Sequence, residues 1–261
     1  NGLCLSTIDG NRGRGDAMSP WQVIFRREFR AYFSTPLAAV FLVVFLFMSG
    51  VFSFSMGGLF ERGQADLRSF FQFVPWLFLF LAPALSMRLW AEERRLGTIE
   101  VLTTLPIPLW HTVVGKFLAA WFFSLVALAL TAPLWMTVSW LGDPDQGVIV
   151  AGYIGSAMVA GIFLAIGGFV SALTKNQVIT FVVTIVACFL VLLSGFPLVL
   201  NFFRDWMSPG AVEAIASVSV LTHFNSLMRG VVEFRDVVYF ASGICALMVA
   251  TTFVVDWRKS A

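Results

Sequence analysis

Apolar and polar positions fall along this chain in long blocks, and the blocks predict helices. From residue 18 to 35 the period is helical: Trp21, Phe25, Phe29 and Phe33 recur every four residues, with Ile24 and Tyr32 beside them. Gln22, Arg26, Arg27 and Arg30 take the other faces. A helix aromatic on one side and basic on the other lies along a membrane surface; the simpler reading is the wet start of a first span. Six apolar runs follow, at 36–56, 70–90, 113–141, 148–173, 178–200 and 237–255. Crossing about 30 Å of hydrocarbon takes roughly 20 residues, and each run is long enough. Pro75, Pro83, Pro133 and Pro197 fall inside them, where neighbouring helices can satisfy the freed carbonyls. Two longer polar stretches interrupt the runs, 91–110 and 201–235.

Composition agrees with the pattern. Of 261 residues, 59% are hydrophobic and 12% charged, whereas a soluble domain is nearer 45–50% apolar and about 25% charged. A soluble enzyme fold is excluded, leaving an all-α polytopic membrane protein of six transmembrane helices in one domain. A net charge of +2 gives no nucleic-acid surface, but its distribution orients the chain. With both ends on one side, that side holds 12 of the 17 Lys and Arg. The other side holds only Arg62, Arg68, Arg204, Arg229 and Arg235, so both termini are expected in the cytoplasm. Residues 1–17 are rich in Gly, Asn and Arg and lack an apolar core. They read as an extension upstream of a natural start at Met18, outside the fold.

No catalytic constellation and no metal site emerge. Cys4, Cys188 and Cys245 are odd in number and read as packing residues. His111 and His223 fall on opposite sides of the membrane by this topology. Gly115-Lys116 is not a phosphate loop, because Trp110 and Phe117 stand where Gly and Ser or Thr are required. The spans are nearly free of ionisable residues, which weakens an ion-coupled transporter. The run 148–173 carries Gly152, Gly155, Ser156, Ala160, Gly161, Ala165, Gly167 and Gly168, a density of small residues suited to close helix packing.

The informative polar stretch is Ala91-Glu92-Glu93-Arg94-Arg95-Leu96-Gly97-Thr98-Ile99-Glu100-Val101-Leu102-Thr103-Thr104-Leu105-Pro106-Ile107-Pro108. Gly97 can break the preceding helix, and Thr98 can cap a short new one. Ile99, Leu102 and Leu105 recur at helical spacing until Pro106 and Pro108 stop it. This suits an amphipathic helix that docks a cytoplasmic partner; a solvated charged loop is the plainer alternative.

The order Glu-Glu-Arg-Arg-x-Gly-Thr-x-Glu-x-Leu-x-x-x-Pro, followed by Gly115-Lys116-Phe117, resembles the signature of ABC-2 type permeases, the membrane subunits of one class of ABC exporter. The stretch from Arg27 to Ala38 is similar to the gliding-motility-type branch. So is the stretch from His223-Phe224 through Arg229-Gly230 to Tyr239-Phe240. The nitrous-oxide-reductase maturation permease is a relative of similar architecture. The resemblance implies an ABC-2 (type V exporter-like) permease fold in the bacterial inner membrane. It implies a separate cytoplasmic ABC ATPase subunit that holds ATP and Mg²⁺, this chain needing no cofactor itself. It also implies a second permease copy or homologous half, and an extracytoplasmic auxiliary membrane protein is a further partner to consider. The coupling role falls on Glu92, Glu93, Arg95, Gly97, Thr98, Glu100 and Pro106, and 201–235 is expected to re-enter the membrane from outside. Two functions remain open: export coupled to ATP hydrolysis, and mechanical transmission to an envelope protein. Spans rich in Phe, 28 in the chain, suit an amphipathic or apolar cargo better than an ion.

Overall fold

A computed structural model describes residues 19–57, 66–97, 108–204, 210 and 217–257. Every regular element among them is helical. Helix α1 (Pro20–Ser34) opens with Pro at its first position, and the Ser19 N–H donates to Gln22 Oε1 at 3.1 Å. It stops at Thr35 because a residue before proline is pushed to extended backbone; Thr35 has φ −99° and ψ 122°. Pro36 then starts α2 (Pro36–Val51), which widens into a π-helical turn at Phe52–Met56.

Helix α3 (Arg68–Ser86) retains Pro75 and Pro83 in its interior. The short α4 (Ala91–Leu96) ends at Gly97, whose φ of +70° is the left-handed C-cap that glycine adopts without steric cost. After Pro108 come α5 (Leu109–Ala129) and α6 (Ala132–Leu141). They read as one stretch, 109–141, interrupted where the Thr131 hydroxyl donates to Leu128 O at 2.6 Å. Helix α7 (Gln146–Leu173) is capped by the Asp145 carboxylate, which accepts from the N–H groups of Gly147 and Val148. Asn176 caps α8 (Gln177–Leu193) in the same way. Then follow α9 (Pro197–Arg204), α10 (Val220–Met228) and α11 (Phe234–Trp257).

Among the described residues, five stretches are long and apolar enough to cross a membrane: Ala38–Met56, Arg68–Leu96, Leu109–Leu141, Gln146–Leu173 and Phe234–Trp257. The expected run at 178–200 is divided instead. Helix α8 stops after 17 residues, about 25 Å at 1.5 Å per residue, and a new helix starts at Pro197. Gly195 lies in the break, so close to Ser219 that an added Cβ would stand 2.0 Å from its Oγ.

Helix α7 is the centre of the bundle, and its small residues are the reason. The Phe71 ring of α3 lies where a Cβ on Gly152 would be, and Ser86 fills the equivalent space at Gly167. Leu227 and Phe224 of α10 press on Gly155, and Ile244 of α11 presses on Gly161. From α5, the Trp121 indole N–H donates to Ala157 O at 2.9 Å. Four helices thus reach the α7 backbone at close range, and dispersion between them replaces the hydrophobic drive that lipid cannot supply. Helices α2, α8 and α11 carry the exposed apolar faces, with Val43, Phe47, Val182, Leu190 and Phe253 among the outward residues.

Two tests follow from this packing and from the charge distribution. Gly167→Ala places a Cβ 1.9 Å from the buried Ser86 Oγ and is expected to destabilise the fold by about 1–3 kcal/mol. Gly50→Ala meets nothing within 4 Å and should leave the melting temperature unchanged or higher, both read in detergent by thermal denaturation. Single cysteines at Asp143 and Lys175 are expected to label from outside and inside respectively with an impermeant maleimide. Labelling from the same side would overturn the topology.

Candidate functional site

A lysine inside an apolar helix must find carboxylates or give up its charge. Lys116 of α5 is 3% exposed, and it finds two. Its Nζ donates to Glu93 Oε1 of α4 at 2.8 Å and to Glu28 Oε1 of α1 at 3.1 Å. The Arg27 guanidinium closes the group, donating to Glu28 Oε1 at 2.6 Å and standing 3.8 Å from Glu93 Oε1. The Trp90 ring lies below, its centroid 5.5 Å from the ammonium, a cation–π contact that further compensates lost hydration. Burial alone raises the Glu28 carboxyl, but the Lys116 ammonium and then Arg27 outweigh it and hold its pKa below the ordinary value.

Helix α1 reaches this point because it packs along α5. Gly115 allows the approach: a Cβ there would stand 2.9 Å from Trp21 O and 3.0 Å from the Ile24 side chain. Further along, Phe25 and Phe29 meet Phe122 edge-on, Phe33 meets Phe123, and the Tyr32 hydroxyl donates to Leu85 O of α3 at 3.2 Å. The aromatic face expected against lipid is therefore largely engaged by protein, whereas Arg26, Arg27 and Arg30 lie on the exposed side. Ser171 of α7 fixes the other wall. Its hydroxyl oxygen accepts from the N–H groups of Trp90 and Ala91 at 3.0 and 3.1 Å.

Of the residues assigned to coupling, Glu93 lies within this cluster. Glu92 pairs with Arg88, whose Nε and Nη2 donate at 2.8 and 3.1 Å. Arg95 is exposed at the tip of α4 beside Leu96, which is 62% exposed, and Gly97 caps the helix. Thr98, Glu100 and Pro106 lie outside the described residues. Sequence reasoning gives Glu28 no site role and notes Lys116 only within the Gly115-Lys116-Phe117 element, not as a buried ion partner. The available signal was a lone lysine in an apolar run and a lone carboxylate among the arginines of α1.

The opposite end of α7 holds a second polar group. Gly230, at φ +83°, packs against Val148 near the α7 start, and Phe224, next to His223, presses on Gly155, so the two groups are separated by roughly 24 Å, the rise of the helix from Gly155 to Ser171 at 1.5 Å per residue. His223 and Phe224 are buried here, while Arg229 and Gly230 are exposed. His223 Nδ1 lies 2.6 Å from Asp236 Oδ1 and its Nε2 lies 3.1 Å from Ser217 O. The Tyr239 ring stacks on the imidazole at 4.0 Å between centroids. No group of three His, Cys, Asp or Glu suited to a metal occurs among the described residues.

Removing the lysine takes the buried ammonium from between Glu28 and Glu93. Lys116→Met is expected to cost about 3–5 kcal/mol, as removal of one partner of a buried pair does, read as a lower melting temperature. Because the Glu28 pKa is lowered in the folded state, its contribution is complete above the ordinary value of 4.5 and is lost as pH falls through the folded value. Melting temperature should therefore fall on acidification below that value, and Glu28→Gln should flatten this acid limb.

The family model described as ABC-2 family transporter protein matches residues 61–257, and no curated protein matches the sequence significantly. That match takes in every helix from α3 to α11, including the Lys116 and Glu93 ends of the ion cluster and the His223–Asp236 pair, so this multi-pass membrane chain belongs to the ABC-2 family of transporter proteins.

Proposed function

We propose that this permease chain works in the inner membrane as an exporter subunit, driven by a separate cytoplasmic ABC ATPase that holds ATP and Mg²⁺. The observation that carries the reading is the buried ion cluster. Lys116 joins α1, α4 and α5, so a push on the tip of α4 is delivered to the first helix and to a spanning helix together. Arg95 and Leu96, exposed at that tip, have the charge and the apolar area to meet an ATPase surface. Glu93 acts in this reading as the inner end of the lever rather than as a docking contact. A second copy or a homologous half supplies the remaining wall of the pathway. The apolar cleft between α2 and α3, about 430 Å³ and lined by Phe41, Phe45, Phe52, Phe73, Trp76 and Phe80, supports an amphipathic or apolar cargo.

Co-purification of the chain with its ATPase subunit is the test. Arg95→Glu combined with Leu96→Asp is expected to lower recovery of the ATPase at least tenfold while leaving the melting temperature of the permease unchanged. The isolated chain is expected to hydrolyse no ATP. Wild-type recovery in the double variant, or ATP hydrolysis by the chain alone, would overturn the assignment.

A further inference from the structure

The group at the far end of α7 contains one buried polar atom without a partner. Asp236 is 3% exposed, its Oδ1 is taken by His223, and its Oδ2 makes no hydrogen bond among the described residues. An unmet carboxylate oxygen in such a place costs free energy unless something supplies a donor. Asp236 lines a cavity of about 260 Å³ together with Thr222, Ser226, Glu233 and Arg235. A neighbouring cavity of about 420 Å³ shares Thr222, Ser226 and Glu233 and adds Arg229. The two form one polar cleft with the buried oxygen at its inner end.

The proton count shows what that oxygen can do. A carbonyl oxygen only accepts, so the contact from Nε2 to Ser217 O places a proton on Nε2. The 2.6 Å contact from Nδ1 to Asp236 Oδ1 then contains another, carried by the ring or by the carboxyl. In either form the pair is neutral overall, and Oδ2 is left as an acceptor only. Ser217 O and Tyr239, stacked on the ring, hold the imidazole in this orientation. A ligand must therefore bring an N–H or O–H group to the inner end. Glu233, exposed and in no ion pair among the described residues, adds negative charge on the route and selects an ammonium. Arg229 and Arg235 are also exposed, and neither forms an ion pair among the described residues; they place positive charge at the mouth.

The geometry points to a binding site for a primary ammonium joined to an anionic group, the ammonium donating to Asp236 Oδ2 and the anion facing Arg229 and Arg235. Such a group is the headgroup of an aminophospholipid or a free zwitterion of the same chemistry. The site is independent of ATPase coupling, since it lies at the opposite end of α7 from the ion cluster.

The full chain in detergent is titrated by calorimetry with phosphoethanolamine and with phosphocholine, whose quaternary nitrogen has no N–H to donate. In parallel, the chain is released from nanodiscs containing equal phosphatidylethanolamine and phosphatidylcholine, and retained lipid is read by native mass spectrometry. Expected is a preference of at least tenfold for the primary amine in one arm or the other. Saturable binding of free phosphoethanolamine assigns a soluble ligand, and selective retention of one phosphatidylethanolamine assigns the lipid; each supports the site. Asp236→Asn and Glu233→Gln should each weaken the preference at least fivefold. Glu233 is exposed, so its variant keeps the test valid should Asp236→Asn fail to fold. Equal treatment of the amine and choline forms in both arms, or an unchanged preference in Glu233→Gln, would overturn the proposal.

Discussion

The ammonium of Lys116, withdrawn from water between Glu28 and Glu93, is the contact on which one end of this molecule is built. A lone charge at that depth would be untenable. Two carboxylates and an indole face make it tolerable, with the Arg27 guanidinium balancing the second negative charge, and they come from α1, α4 and the turn before it. Satisfying one lysine therefore fixes where three separate pieces of chain meet. Helix α1 precedes the spans and could have lain free on a membrane; here it is held to α5 by this charge group and by rings stacked along it. The same group fixes α4, which projects Arg95 and Leu96 outward from a rigid base.

Helix α7 plays the complementary part in the interior. Its glycines and alanines leave no ridge, so Phe71, Ser86, Phe224, Leu227 and Ile244 from three neighbouring helices settle onto its backbone. In a lipid setting this close approach is what gives helices reason to associate. The helix also sets the distance between the two polar groups. Ser171 near its end holds the start of α4, and Val148 near its beginning supports Gly230 beside the His223 pair. The two polar groups are thus mounted toward opposite ends of one helix.

The two polar groups differ in chemistry. At the α4 end, Glu28, Glu93, Lys116 and Arg27 neutralise one another and leave the exposed tip to act. At the other end, the histidine and aspartate satisfy each other through one oxygen only. Glu233, Arg229 and Arg235 remain open to whatever enters the cleft.

The amino-acid order by itself determined the helical class, the apolar stretches and most of the helix boundaries. These rest on neighbours in sequence: Pro36 forbids α1 from continuing, Gly97 ends α4, and Asp145, Asn176 and Ser219 cap the helices that follow them. The small-residue face of α7 and the resemblance carried by 92–106 were also legible, because periodicity and motif order are local properties. The break at Gly195 was less so, since hydropathy runs through it and the close approach of Ser219 is set by the fold. Only the tertiary structure decided the ion cluster and the His223–Asp236 pair. Lys116 and Glu28 are 88 positions apart, and a sequence pattern says which face a residue occupies but not which distant face it will meet. For the same reason the pattern that assigned Glu93 to coupling could not show that it meets Lys116 at 2.8 Å, a contact that packing alone brings about.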